Sequence, residues 1–186
     1  MKKLIYLVSG LPRSGTSMIM QVLEAGGMPI ATDEKRTPDE SNPKGYLEIE
    51  SIIDRLRDDP NYVFGFEGKV LKVIAYGLQY LPESSYKIIY VDRNIEEVLD
   101  SMEKMVGAKD EEREVTKQAF LKLNKKVKAE ISQRKDMDVL YVNYNEILAS
   151  PKEKLNKIYS FLKDERLDYD GMLEAVDRNL YRQRRI

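Results

Sequence analysis

The segment YLVSGLPRSGTSMIMQVL, residues 6–23, leaves little freedom of fold. An apolar run, Leu4 to Val8, leads into the frame Gly10-x-x-x-x-Gly15, and a helical pattern runs from Ser14 to Ala25. Glycines permit backbone angles closed to other residues and let the chain approach a ligand. N–H groups at the start of the following helix have no intrahelical partner and point at whatever anion the loop holds. Arg13 adds a two-pronged cation, and Thr16 and Ser17 add hydroxyls. Gly10, Pro12, Arg13, Ser14, Gly15, Thr16 and Ser17 therefore form a candidate anion-binding loop.

Three more short apolar runs read as buried strands: VLKVI (70–74), YKIIYV (86–91) and VLYV (139–142). Helical patterns follow at Ile95–Val106 and Pro151–Leu162. Strands alternating with helices imply a parallel sheet covered on both faces. The expected fold is α/β, three-layered, with a mostly parallel sheet and P-loop nucleotide-binding topology. No repeat or linker divides the chain, so residues 1–186 read as a single domain. Val115, Ala119, Phe120, Leu123, Val127 and Ile131 recur every three to four residues within 110–134 and predict one amphipathic helix covering the domain. Residues 31–46, with two prolines and many polar groups, are the longest irregular stretch. Such stretches near strand ends are where α/β proteins build sites.

Composition narrows the chemistry. The 31 basic and 32 acidic residues nearly cancel, which argues against a nucleic-acid partner. There is no cysteine, so disulfides, thiolate metal sites and cysteine nucleophiles are excluded. There is no histidine either, so a general base must be Glu, Asp, Lys, Tyr or water. The Lys2–Lys3 start resembles a signal peptide, but the apolar run after it is too short for a signal core or a membrane span. The expectation is a soluble, cytoplasmic protein.

A nucleotide triphosphatase would place Lys after the second glycine. Here Thr16 stands there and the cation is Arg13. Asp92, closing KIIYVD, resembles a magnesium-binding aspartate, but Arg93 follows at once and points to an anion instead. Asn94 is placed to cap the next helix, with Glu97 at the capping-box position.

On these residues the chain resembles the sulfotransferases that use 3′-phosphoadenosine 5′-phosphosulfate (PAPS). SGLPRSGTS resembles their 5′-phosphosulfate loop, in the form with Arg where cytosolic members have Lys. YVDRNIEEVLDSM resembles their 3′-phosphate element, a strand followed by Arg93 and, eight residues on, Ser101. VNYNEILASPKEKLNKIYSFL resembles a later stretch of strand, turn and helix. NPKGY is similar to small prokaryotic sulfotransferase-like proteins. The resemblance implies PAPS as sulfuryl donor, PAP (the 3′,5′-bisphosphate) as product, and no metal. Arg13 and the loop N–H groups would stabilise the leaving bisphosphate, and Arg93 with Ser101 would hold the 3′-phosphate.

Cytosolic members use a histidine base, which this chain lacks; other branches use glutamate. The spacing of Glu34, 24 residues after Gly10 in TDEKR, resembles the Glu-Glu-Thr-Arg segment of the tyrosylprotein branch, with Arg36 two places later. Glu48 is the second candidate and reads as opening the next helix. Lys72 interrupts a buried run, so its ammonium needs either an anion or an exit to solvent. Arg178, Arg182, Arg184 and Arg185 form a basic tail, read either as a nucleotide-closing element or as a solvated terminus. The acceptor is expected to be a small molecule, glycan or peptide. Two rivals stand: a P-loop nucleotide kinase, and a protein that holds PAPS or PAP without turnover.

Overall fold

The computed structural model describes residues 4–33 and 46–176. Four strands, β1 (Ile5–Gly10), β2 (Val70–Lys72), β3 (Tyr86–Asp92) and β4 (Met137–Asn143), form one sheet in the order β2-β1-β3-β4. Every pair is parallel. Between and after them run α1 (Thr16–Ala25), α2 (Ile52–Asp58), α3 (Ile95–Val106), α4 (Arg113–Gln133), α5 (Tyr144–Ala149), α6 (Pro151–Leu162) and α7 (Tyr169–Glu174). Two 3₁₀ segments, Pro60–Phe66 and Ala75–Tyr80, flank β2.

The alternation of β1 sorts the two cores. Ile5 and Leu7 face one cluster, with Leu56, Val63, Val127 and Ile131. Tyr6 and Val8 face the other, with Ile19, Leu23, Ile147, Leu155 and Met172. All of β1 is buried, as expected for an inner strand of a sheet covered on both faces. The three-layer α/β expectation holds, and each of the four apolar runs forms a strand, shifted by a few residues at its ends.

Two expectations change. The first helix starts at Thr16, not Ser14, because Arg13 (φ 65°) and Gly15 (φ 103°) are left-handed and cannot belong to it. In α4 only Val127 and Ile131 are buried, whereas Val115 is 65% exposed. The first half of α4 packs on α3 through charge. Arg113 bonds Glu96, Asp100 and Glu103 at 2.8–2.9 Å, and Lys117 reaches Glu96 at 2.7 Å.

Lys117 and Arg113 hold the Glu96 carboxyl at about 2, below its usual 4.5. A depressed folded-state value adds stability above pH 4.5 that disappears as pH falls through 2. Denaturant midpoints of the wild type should therefore fall across that window, and Glu96→Gln should flatten the decline. An equal decline in both proteins would show that other carboxyls carry the acid sensitivity.

Candidate active site

All four strands end at the same edge of the sheet, and the site residues gather there. Gly10 (φ 150°) lies against β3, where an added Cβ would stand 2.4 Å from the Val91 carbonyl oxygen. Gly15 lies against the Tyr144 ring, where a Cβ would meet Cδ2 at 2.2 Å. Both glycines are needed for close approach as well as for backbone angle. Between them Ser14 N–H donates to the Leu11 carbonyl at 3.2 Å and closes a turn.

The loop fits an anion. No side chain caps α1, and its first turn carries no acidic residue. The orphan N–H groups of a helix start there without an acidic residue in their own turn. The Ser14 hydroxyl and the Ser9 hydroxyl at the end of β1 are buried, and neither makes a hydrogen bond among the described residues. Buried hydroxyls are nearly always paired, so such hydroxyls at a glycine loop suit oxyanion binding. Pro12 and Arg13 are half-buried on the loop, and Thr16 is buried at its end.

The Arg93–Ser101 element touches the glycine loop. Arg13 Nε donates to Ser101 Oγ at 2.9 Å, and Arg93 Nη1 donates to the Arg13 carbonyl at 3.1 Å. The left-handed backbone at Arg13 is thus held at both its side chain and its carbonyl. Arg93 lies 4.5 Å over the Tyr144 ring. Burial pushes the Tyr144 phenol up, so it is neutral near pH 7. Asn94 caps α3 through the Glu96 N–H at 2.9 Å, as read from the sequence. Glu97 makes no capping box: its carboxylate takes Arg93 Nε at 3.0 Å and Asn145 Nδ2 at 3.0 and 3.1 Å. An arginine partner at the next turn outcompetes a backbone N–H for a buried carboxylate.

Glu48 does not open a helix, since α2 begins only at Ile52. It lies in the irregular segment before α2, with its carboxylate 2.7 Å from Lys72 Nζ. Lys72 also donates to Ser17 Oγ at 3.1 Å and to the Tyr46 carbonyl at 3.3 Å. Only 6% exposed, Lys72 is no snorkelling edge lysine: a buried ammonium has found its carboxylate beside the loop. Asp92 bonds Lys128 at 2.6 Å and Asn124 at 3.2 Å, which accounts for the acid closing β3. Glu34, Arg36 and the arginines at 178, 182, 184 and 185 lie outside the described residues. The sequence reading missed Asn145 and Tyr144 although it quoted their stretch, because nothing in a strand-to-helix turn announces contacts to residues about 50 positions upstream.

The sulfotransferase domain model matches residues 5–182, nearly the whole chain. The chain belongs to the sulfotransferase domain family. No curated protein matches it in sequence. Among solved structures, it is similar to the sulfotransferase domain of the Synechococcus olefin synthase, at 16% identity and TM-score 0.57, covering 95% of this chain and 79% of that one. A mouse sulfotransferase solved in complex with PAP gives 21% identity and TM-score 0.54, covering 96% and 63%. A Mycobacterium tuberculosis sulfotransferase gives 12%, 0.55, 94% and 71%. At these identities the structures bear on fold alone, and the family match carries the enzyme class. No helix among this sulfotransferase's described residues is long and apolar enough to cross a membrane.

Proposed function

We propose that the chain transfers a sulfuryl group from PAPS to a hydroxyl or amine acceptor, with a carboxylate as general base. The observation that carries this is the direct bonding of the glycine loop to the Arg93–Ser101 element, through Arg13 Nε to Ser101 and Arg93 to the Arg13 carbonyl. Two cationic elements in contact suit one ligand with two anionic groups, as in a 3′,5′-bisphosphate. A triphosphate would call for cations in line along the loop.

In this reading the bond from sulfur to the bridging oxygen breaks, and a new bond forms from sulfur to the acceptor oxygen or nitrogen. Arg13 and the N–H groups at the start of α1 stabilise the negative charge growing on the leaving bisphosphate. That interaction strengthens as the bond breaks, so it speeds the step and does not merely tighten binding. Lys72, bonded to Ser17 at the loop, would offset charge on the sulfuryl oxygens. Glu48, its partner, takes the acceptor proton. The reading assigns no step to a metal. Positioning and fixed charges supply the acceleration, as in phosphoryl transfer.

Radiolabelled PAPS, incubated with the protein and a mixed panel of hydroxyl and amine acceptors, should pass its label to at least one of them. Calorimetry should show PAP binding more tightly than ATP. Magnesium-dependent ATP turnover without label transfer would establish the kinase rival. Tight PAP binding with no transfer to any acceptor would favour a binding protein.

A further inference from the structure

Glu97 is fully buried, yet its carboxylate is not needed to cap α3. A buried ion pair adds little to stability compared with apolar residues of the same volume. Its geometry offers a different reason for its presence. Glu97 grips Arg93 by the Nε edge at 3.0 Å, which leaves Nη1 aimed at the Arg13 carbonyl and the guanidinium face on Tyr144. Glu97 is itself gripped by Asn145 Nδ2, which donates to both carboxylate oxygens, while Asn145 Oδ1 accepts the Asn94 N–H at 3.4 Å. One carboxylate thus joins three turns at the carboxyl edge of the sheet: β1 to α1, β3 to α3, and β4 to α5.

We infer that Glu97, supported by Asn145, is a positioning residue that fixes Arg93 relative to Arg13 and so sets selectivity for a nucleotide carrying both 5′- and 3′-anionic groups. This rests on the donor reading above. Glu97 partly cancels the Arg93 charge, so it does not raise attraction for anions in general. What it supplies is a fixed spacing between two cations, and only a ligand with two matching anionic groups gains from that spacing. A guanidinium freed from its carboxylate would still attract anions but would no longer hold one place.

Calorimetry with PAP and with adenosine 5′-phosphate tests this. Wild type should prefer the bisphosphate, and Glu97→Gln should lower the ratio of the two affinities about tenfold, mostly by weakening PAP, the loss expected for one charge-assisted hydrogen bond. A merely structural role would weaken both ligands alike. The exchange Glu97→Gln with Asn145→Asp returns a carboxylate to the pair, and should restore the ratio to within about threefold of wild type. If Glu97→Gln does not fold, Asn145→Ala removes only the second grip and should lower the ratio about threefold. A folded Glu97→Gln, or in its place a folded Asn145→Ala, that keeps the wild-type preference overturns the inference alone. A wild type with no preference for PAP overturns the donor reading, and the inference with it.

Discussion

Glu48→Gln should lower turnover about 10²- to 10⁴-fold, the range for loss of a general base, with PAP binding nearly unchanged. The chain has no histidine, so the proton must go to another group, and among the described residues Glu48 is a carboxylate beside the loop. Lys72 Nζ lies 2.7 Å from that carboxylate and holds it in place. The substitution also touches a buried pair, because Lys72 is 6% exposed. Glutamine keeps an oxygen for Lys72, and the ammonium retains Ser17 and the Tyr46 carbonyl. Denaturant midpoints measured alongside turnover separate a catalytic loss from a folding loss. Glu34→Gln is the necessary comparison. A large loss there, with Glu48→Gln nearly as active as wild type, would transfer the base to Glu34.

Gly10→Ala should reduce unfolding free energy by about 3 kcal/mol, combining backbone strain with overpacking, and should abolish nucleotide binding. The added methyl would stand 2.4 Å from the Val91 carbonyl oxygen and 2.6 Å from Ser14 Oγ. That carbonyl belongs to β3, which is paired with β1 on one side and β4 on the other, so it cannot give way without shifting the sheet. Gly107 is the control. It too has a positive φ, 76°, where it ends α3, but nothing lies within 4 Å of its missing Cβ. Gly107→Ala should cost about 1 kcal/mol, the conformational strain alone. Similar midpoints for the two variants would mean that the contact at Gly10 is soft.

The apolar runs, their alternation with helical patterns and the Gly10–Gly15 frame determined the parallel sheet and the place of the glycine loop. Each rests on a periodicity or a backbone requirement that is complete within a few neighbouring residues. The sequence also carried the pairing of Arg93, just before α3, with Ser101 inside it, because a spacing of eight residues across one helix start is local. Periodicity could not tell which half of α4 meets the sheet. It detects an apolar stripe, but whether a stripe is covered depends on the element packed against it, and α3 brings Glu96, Asp100 and Glu103 to the first half. The Lys72–Glu48 pair spans 24 residues, the Glu97–Asn145 contact 48, and the Arg13–Ser101 bond 88. Those partners meet only because parallel strands deliver every following turn to one edge of the sheet. No local pattern records which side chains that edge brings within hydrogen-bonding distance, so the Lys72–Glu48 pair and the anchoring of Arg93 belonged to the tertiary structure.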